Sequence, residues 1–520
     1  MERTTPRWPG IVTGILGALW LAFFPLWNDL SYAHITRAKW LAALVLCGVT
    51  IAACAVIVLI LACKKQLRQT LRWHPVQLIA LGYFAWVALS TWQGKWADAI
   101  NGSEQLVVWM GAIRYEGLHI HLCYALIFLM LSLFPPRMNI VLIAASIALT
   151  LFCSIAAVQY TGVNVLGLFP AGRSIYTNYE FQSTIGNIDM VSGYLCLVVP
   201  LLLDSFATRE KGGWHLLAAG TLGAAMMWCI DVQSGLIALL LLCGLLLLLG
   251  LRFPAWRCRI CLVLAGVMTA LALRGMLFLP WLDSATPREV QPILFVFGKK
   301  AYIGLVAAAL LILLSLIFRR HPGKAMPARA ILCLVLVGAV LVVAAVILLP
   351  IPESSGALYE LHESLNGRMQ DYFGSWRMGA WRHSIHMSKE SPLFGNGPDT
   401  FFYALKDHLA KESASLGENY DNPHNEYVAI LVNNGFPALA LYLVLLATVL
   451  VACCRKRLWL LALSIGCFAA QGFFSFSICL VSPMFWAIMG MAAAHCGKPL
   501  HIEPNRAIID PEVNKIDPEL

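Results

Sequence analysis

About fourteen long apolar runs follow one another along this 520-residue chain, separated by short polar breaks. Nothing else constrains the fold as strongly. Gly235–Leu251 and Ala330–Pro350 carry no charge from end to end, and each is about as long as a helix that crosses roughly 30 Å of hydrocarbon. In lipid every backbone N–H and C=O must be bonded inside the structure, so only helices and closed barrels span. Barrel strands alternate apolar and polar residues, and these runs do not. The expected fold class is therefore an all-α polytopic membrane protein with about 14 transmembrane helices. The spans read as 10–27, 40–63, 75–92, 119–134, 139–159, 189–207, 213–231, 235–251, 260–282, 301–318, 330–350, 427–452, 458–475 and 478–496.

Composition agrees: 59% of residues are hydrophobic and 12% charged, with a mean hydropathy of +0.73. Arg3 and Arg7 precede the first run, but Asn28–Tyr32 after it is no small-residue cleavage site, so the run reads as a retained span rather than a signal peptide. The net charge of +9 points to membrane topology and not to nucleic acid, because Lys and Arg hold loops in the cytoplasm. With the N-terminus inside, the inner loops hold Lys64, Lys65, Arg68 and Arg72; Arg137; Arg209 and Lys211; Arg252, Arg257 and Arg259; Arg319, Arg320, Lys324 and Arg329; and Arg455, Lys456 and Arg457. Outer loops are sparser in charge, with Arg288, Lys299 and Lys300 as exceptions. Both termini are then cytoplasmic. The expected organisation is 1–350 membrane domain (spans 1–11), 351–426 extracytoplasmic loop, 427–496 membrane domain (spans 12–14) and 497–520 cytoplasmic tail. The cysteines sit in or beside apolar runs and read as small buried residues, giving neither a disulfide framework nor a cysteine metal site. Arg274 and Asp231, in the outer halves of two spans, read as snorkelling side chains.

With spans nearly free of charge, polar chemistry is confined to the outer loops, above all to Ile351–Glu426. Eleven acids and six Lys/Arg fall there, so an arginine in this segment binds phosphate by specific placement and not by overall charge. Residues 375–391 read as a short amphipathic helix, with Ser375 as its cap and Pro392 and Gly395 ending it. Arg377, Trp381 and Ile385 share one face. Trp376, Trp381, Ile385 and Met387 suit a membrane surface. A turn-rich Pro392-Leu-Phe-Gly-Asn-Gly397 elbow follows. His424 stands at the mouth of the next span, where an imidazole can act as a general base. By itself such a histidine is more often an interfacial hydrogen-bonding residue. His383-x-x-His386 puts two imidazoles together, but zinc needs a third spaced ligand; the sequence shows none, and no metal site is expected. Tyr372, Trp376, Phe401, Phe402, Tyr403 and Tyr420 are candidates for stacking on sugars, or packing residues.

Taken in order, Arg377-Met-Gly-Ala-Trp381, Pro392-Leu-Phe-Gly-Asn-Gly397, His424-Asn425-Glu426-Tyr427 and Asn434-Gly435-Phe436-Pro437 resemble the signature of the O-antigen ligase and O-antigen polymerase superfamily. Arg114-Tyr-Glu116-Gly-Leu118 resembles that family's R-x-E-G-L stretch, and Gly186-Asn187-Ile-Asp189 its G-N-x-N turn. Asp189, Val428 and Asn433 depart from the pattern at an asparagine, a leucine and a glutamate.

The resemblance implies a glycosyltransferase C-type helical bundle in the bacterial cytoplasmic membrane. The implied donor is a glycan on a polyprenyl diphosphate, and the acceptor a glycan, lipid or protein hydroxyl. No cofactor, metal or nucleic acid is called for. The chemistry is coherent with the residues. A departing diphosphate needs its charge met, and arginine does this with a permanent, bidentate cation. Arg377 is the first candidate, followed by Arg114, Arg173, Arg368 and Arg382. His424 is the base that takes the acceptor proton during inverting attack. Trp381, Asn425, Glu426, Asn187 and Glu116 are expected to support them. The alternative class is a lipid-linked oligosaccharide flippase or other transporter, which would place charges along a cavity in its spans.

Overall fold

A computed structural model describes residues 6–95, 109–111, 114–278, 302–413, 416 and 420–500. The tail beyond residue 500, most of the 93–118 loop and all of the 283–300 loop with Arg288, Lys299 and Lys300 lie outside the described residues. The chain is helical nearly throughout. In order, the main helices are α1 (Trp8–Leu26), α2 (Tyr32–Cys63), α3 (Val76–Gln93), α4 (Leu118–Ser132), α5 (Met138–Tyr160) and α6 (Ile188–Thr208). Then come α7 (Trp214–Ile230), α8 (Gln233–Arg252), α9 (Arg257–Leu273), α10 (Tyr302–Arg320) and α11 (Ala328–Leu348). Three short helices follow: α12 (Ala357–Leu365), α13 (Arg377–Glu390) and α14 (Phe401–Glu412). The last three are α15 (Glu426–Arg455), α16 (Trp459–Gln471) and α17 (Ser482–Cys496).

Each expected span is a helix in this order. Nine helices among the described residues, α1, α2, α5, α6, α8, α9, α10, α11 and α15, are long and apolar enough to cross a membrane. The helices α4, α7 and α16 are apolar but shorter. Burial separates the helices by role. From Met190 to Ala207 every residue of α6 is buried, as a helix apolar all round requires. It packs against α7, α8 and α16 at the centre of the bundle. By contrast α11 buries no residue, so most of its apolar surface is left uncovered by the described protein. Arg274 and Asp231 do not snorkel. They form an ion pair at 2.9 Å with side chains 3% and 6% exposed, because a charge held inside a bundle is tolerated when paired.

The Pro392–Gly397 elbow has a specific structural job. Inside α15, Gly435 leaves the helix (φ +81°, ψ 174°) and Pro437 follows. Proline has no N–H to give back to Asn433, and the break at Gly435 strands Val432 O and the Phe436 N–H. The elbow meets all three. Asn396 N and Nδ2 donate to Val432 O at 2.9 and 3.0 Å. Gly397 N donates to Asn433 O at 2.8 Å, and Phe436 N donates to Pro392 O at 2.8 Å. Ser90, near the end of α3, adds a bond to Asn433 O at 3.1 Å and another to Phe394 O at 2.6 Å. The approach is close enough that a Cβ on Gly435 would lie 2.1 Å from Leu393 O, and one on Gly395 2.6 Å from Asn433. Both glycines also hold positive φ.

This lock fastens the polar segment to the bundle. The segment also has a core of its own: Ala380, Met387, Phe401, Ala404, Leu405 and Tyr420 pack together with Val432 of α15. Met387 therefore faces that core and not a membrane surface, and Phe401 and Tyr420 are packing residues. The helix starts at Arg377, later than expected, and Ser375 does not cap it. Ser375 and Trp376 are both in the left-handed region (φ +56° and +67°), and the Ser375 carbonyl accepts from the Tyr420 hydroxyl.

Gly435→Ala and Gly395→Ala are each expected to cost about 3 kcal/mol, from left-handed strain plus a clash with backbone. Gly338→Ala in α11, with open space around its Cβ position, is expected to be neutral. Thermal unfolding of the detergent-solubilised variants checks the contrast.

Candidate active site

Four separate parts of the chain meet around His424. Its own loop precedes α15, where Asn425 caps the helix by accepting from the backbone of Tyr427 and Val428 at 3.0 and 3.1 Å. Asn425 is thus a structural cap. Asn187 does the same for α6, accepting from Asp189 N and Met190 N. It stands in a two-residue hairpin in which Phe181–Gln182 pairs with Gly186–Asn187, and so brings Asp189 into the site region. The Trp381 indole donates to Pro423 O at 2.7 Å. That bond holds the His424 loop against α13.

His424 itself is in the left-handed region (φ +50°), a position that costs a non-glycine residue about 1–2 kcal/mol. Tyr420 and Phe476 press on its ring edge-on, at 5.7 and 5.1 Å between centroids. Its Nδ1 is buried and has no hydrogen-bond partner among the described residues. Burial pushes its pKa down to about 4, with the guanidinium charges of Arg377 and Arg114 lowering it further and Asp421 opposing. At neutral pH the ring is therefore uncharged and its lone pair unspent.

The two arginines around it are held differently. Arg377, at the first position of α13, donates to Phe474 O at 3.3 Å. It has no ion pair among the described residues, although Asp189 feels its charge and that of Arg114. Arg114 is pinned to Asp421 through Nε (2.9 Å) and Nη2, and lies over the Phe476 ring at 4.4 Å. Its backbone N–H donates to Asp399 Oδ2 at 3.0 Å. So one cation is free of a carboxylate and the other is oriented by one. Such a pair can receive a diphosphate.

Three sequence candidates stand elsewhere. Arg173 is exposed and bonds to Asn178 Oδ1 at 3.3 Å. Arg368 makes a bidentate pair with Glu363 and is 56% exposed. Arg382 pairs with Asp371 and is 52% exposed. None of these three is among the charges acting on His424. The reason for Arg382 is helical phase: at five residues past Arg377 it points to another face.

Glu426 and Glu116 lie beneath. Glu426 Oε2 accepts from Ser477 N and Oγ at 2.8 and 3.0 Å, and its backbone N–H donates to Gly472 O at 2.8 Å. Tyr124 donates to Glu116 Oε1 at 2.9 Å. Burial raises the Glu116 carboxyl well above the usual range. Both acids line a cavity of about 30 Å³ with His121, Tyr124 and Ser477, room for a single water.

Residues 472–481 escaped the sequence reading, which ran the preceding span to 475. The helix α16 ends at Gln471, and the loop after it supplies the Phe474 carbonyl, the Phe476 ring and Ser477. Gly472 was a usable signal; the phenylalanines around it masked the turn. Asp421 was likewise overlooked as the partner of Arg114.

No curated protein matches this sequence. Residues 293–443 match the family described as O-antigen ligase. The matched stretch contains Arg377, Trp381, the elbow, His424 and the break in α15. That match supports a relation to the O-antigen ligase/polymerase superfamily over this stretch of the chain.

Proposed function

We propose that the protein is an inverting glycosyltransferase of the O-antigen ligase type. It moves a glycan from a polyprenyl-diphosphate carrier to an acceptor hydroxyl on the outer face of the bacterial cytoplasmic membrane. On this reading 351–426 is the extracytoplasmic catalytic segment between two membrane portions, 1–350 and 427–496, in a bundle of fourteen spans. Both termini, including the 497–520 tail, are cytoplasmic. The observation that carries the proposal is the convergence of an unpaired guanidinium, Arg377, and a carboxylate-oriented one, Arg114, on an uncharged imidazole with an unspent nitrogen.

The step balances as follows. The acceptor oxygen attacks the anomeric carbon from the side opposite the diphosphate and forms the new glycosidic bond. The bond from that carbon to the phosphate oxygen breaks, and its electron pair leaves with the carrier diphosphate. The acceptor proton passes to His424. Arg377, aided by Arg114, meets the negative charge that grows on the leaving group. Free of donor, burial holds the His424 pKa low and the two guanidiniums lower it further. A bound diphosphate neutralises them, so His424 becomes a stronger base when substrate arrives. Donor binding and base activation are thereby linked by one pair of charges. The acceptor is a sugar, lipid or protein hydroxyl, and all three classes use the same departure chemistry.

An in vitro transfer assay with a defined carrier-linked glycan tests this. His424→Ala is expected to lower turnover about 10²–10⁴-fold, the usual worth of a general base, with thermal unfolding near that of the parent. Wild-type turnover in that variant would remove the base from the scheme. Arg377→Ala is expected to lose about 10²–10³-fold in transfer. Arg377→Lys should recover only part of it, because an ammonium keeps the charge but lacks the bidentate fork. Equal rates for Lys and Arg at this position would mean that charge alone is used.

A further inference from the structure

A second cluster of ionisable groups lies between α13 and α14. His383 comes from the first helix, and His408 and Glu412 from the second, one turn apart. His383 Nδ1 is 3.4 Å from Glu412 Oε2, and His408 Nε2 is 3.4 Å from Glu412 Oε1. One ligand atom from each residue fits within 4.8 Å of the others. Both imidazole side chains are 6% exposed. His383 Nδ1 and His408 Nε2 are buried without a hydrogen-bond partner among the described residues, a cost of about 1–3 kcal/mol for each such group if left so. Behind His408, Glu390 Oε1 stands 3.4 Å from Nδ1. Glu390 is itself fixed by Lys95 at 2.6 Å.

His383 Nδ1, His408 Nε2 and the Glu412 carboxylate converge on one point. We propose that this point binds a divalent transition-metal ion of the zinc class, held by His383, His408 and Glu412.

The donor set selects the class. Imidazole nitrogen with one carboxylate suits zinc and its neighbours, whereas magnesium and calcium take oxygen alone. Ligand bonds of about 2.0–2.1 Å at tetrahedral angles put donor atoms roughly 3.3 Å apart; each nitrogen stands 3.4 Å from its own oxygen of Glu412, and one atom from each residue lies within 4.8 Å of the others, so a bound ion draws the three side chains slightly together. Glu390 supplies the outer carboxylate that commonly orients a metal-bound histidine. His386 Nδ1, 3.8 Å from Glu412 Oε1 and half exposed, or a water, completes the shell. The sequence alone shows no third ligand. Ligands on α14 are far along the chain from His383-x-x-His386, and only folding brings them together. The ion would clamp α14 to the helix that begins with Arg377. It is a structural site, and it does not depend on the glycosyl-transfer reading.

The test uses the full-length protein in detergent, carrying an affinity tag without histidines, stripped with chelator and desalted. Zinc chloride is added, excess is removed, and bound zinc is measured by mass spectrometry alongside thermal unfolding. The expected result is one zinc retained per chain and an unfolding temperature several degrees higher. Glu412→Gln removes a ligand at a 42% exposed side chain, so it should fold; it and His383→Gln are expected to weaken zinc binding at least about 100-fold. Failure of the parent to retain zinc would overturn the site, as would equal retention by both variants. Stabilisation obtained by acidification alone, without zinc uptake, would also overturn it and identify the bridge as a protonated imidazole.

Discussion

The break in α15 is what the rest of the arrangement depends on. A continuous helix there would satisfy its own backbone and leave nothing for the polar segment to hold. Gly435 and Pro437 instead expose two carbonyls and one N–H, and the Pro392–Gly397 elbow answers each of them. An unmet backbone group in a buried setting costs several kcal/mol, so elbow and break are obligatory partners. The lock seats α13 and α14 on the N-terminal part of α15. Trp381 then reaches Pro423, and His424 is fixed beside Arg377 and Arg114.

Charge does the second part of the work. Around His424, burial and two guanidiniums keep the imidazole neutral. Asp421 takes up Arg114, while Arg377 is left with a single carbonyl. A doubly charged ligand entering such a site gains from the arginine that lacks a carboxylate. It also relieves the repulsion that suppresses the histidine. Lys39 shows the contrasting, structural use of a buried amine. Its Nζ donates to Phe24 O and Pro25 O at 2.6 and 2.9 Å, capping the end of α1.

Much of this was legible in the sequence because lipid leaves a chain few options. The run at 139–159 is the helix Met138–Tyr160, and 330–350 is Ala328–Leu348. Arg377, Trp381 and His424 were legible because they stand in a polar island where little else does. Other features were not. Residues 472–481 are apolar enough to read as span, yet they fold back as the loop that carries Phe476. The pairing of Asp421 with Arg114 joins residues about 300 positions apart, and no local pattern announces it. Arg173, Arg368 and Arg382 looked equivalent to Arg377 by type and location; only helical phase and their partners Asn178, Glu363 and Asp371 separate them. The grouping of His408 and Glu412 with His383 was hidden for the same reason, since periodicity describes one helix and not the seam between two.

The central claim is that two guanidinium charges converge on the imidazole of residue 424. Titration of that ring by NMR, in protein labelled at histidine and assigned by difference with His424→Gln, addresses it directly. The account predicts a ring still neutral at pH 6, titrating near 4, and moving upward when inorganic pyrophosphate is bound or when Arg377 is replaced by Gln. An ordinary titration near 6.5, indifferent to both changes, would contradict it.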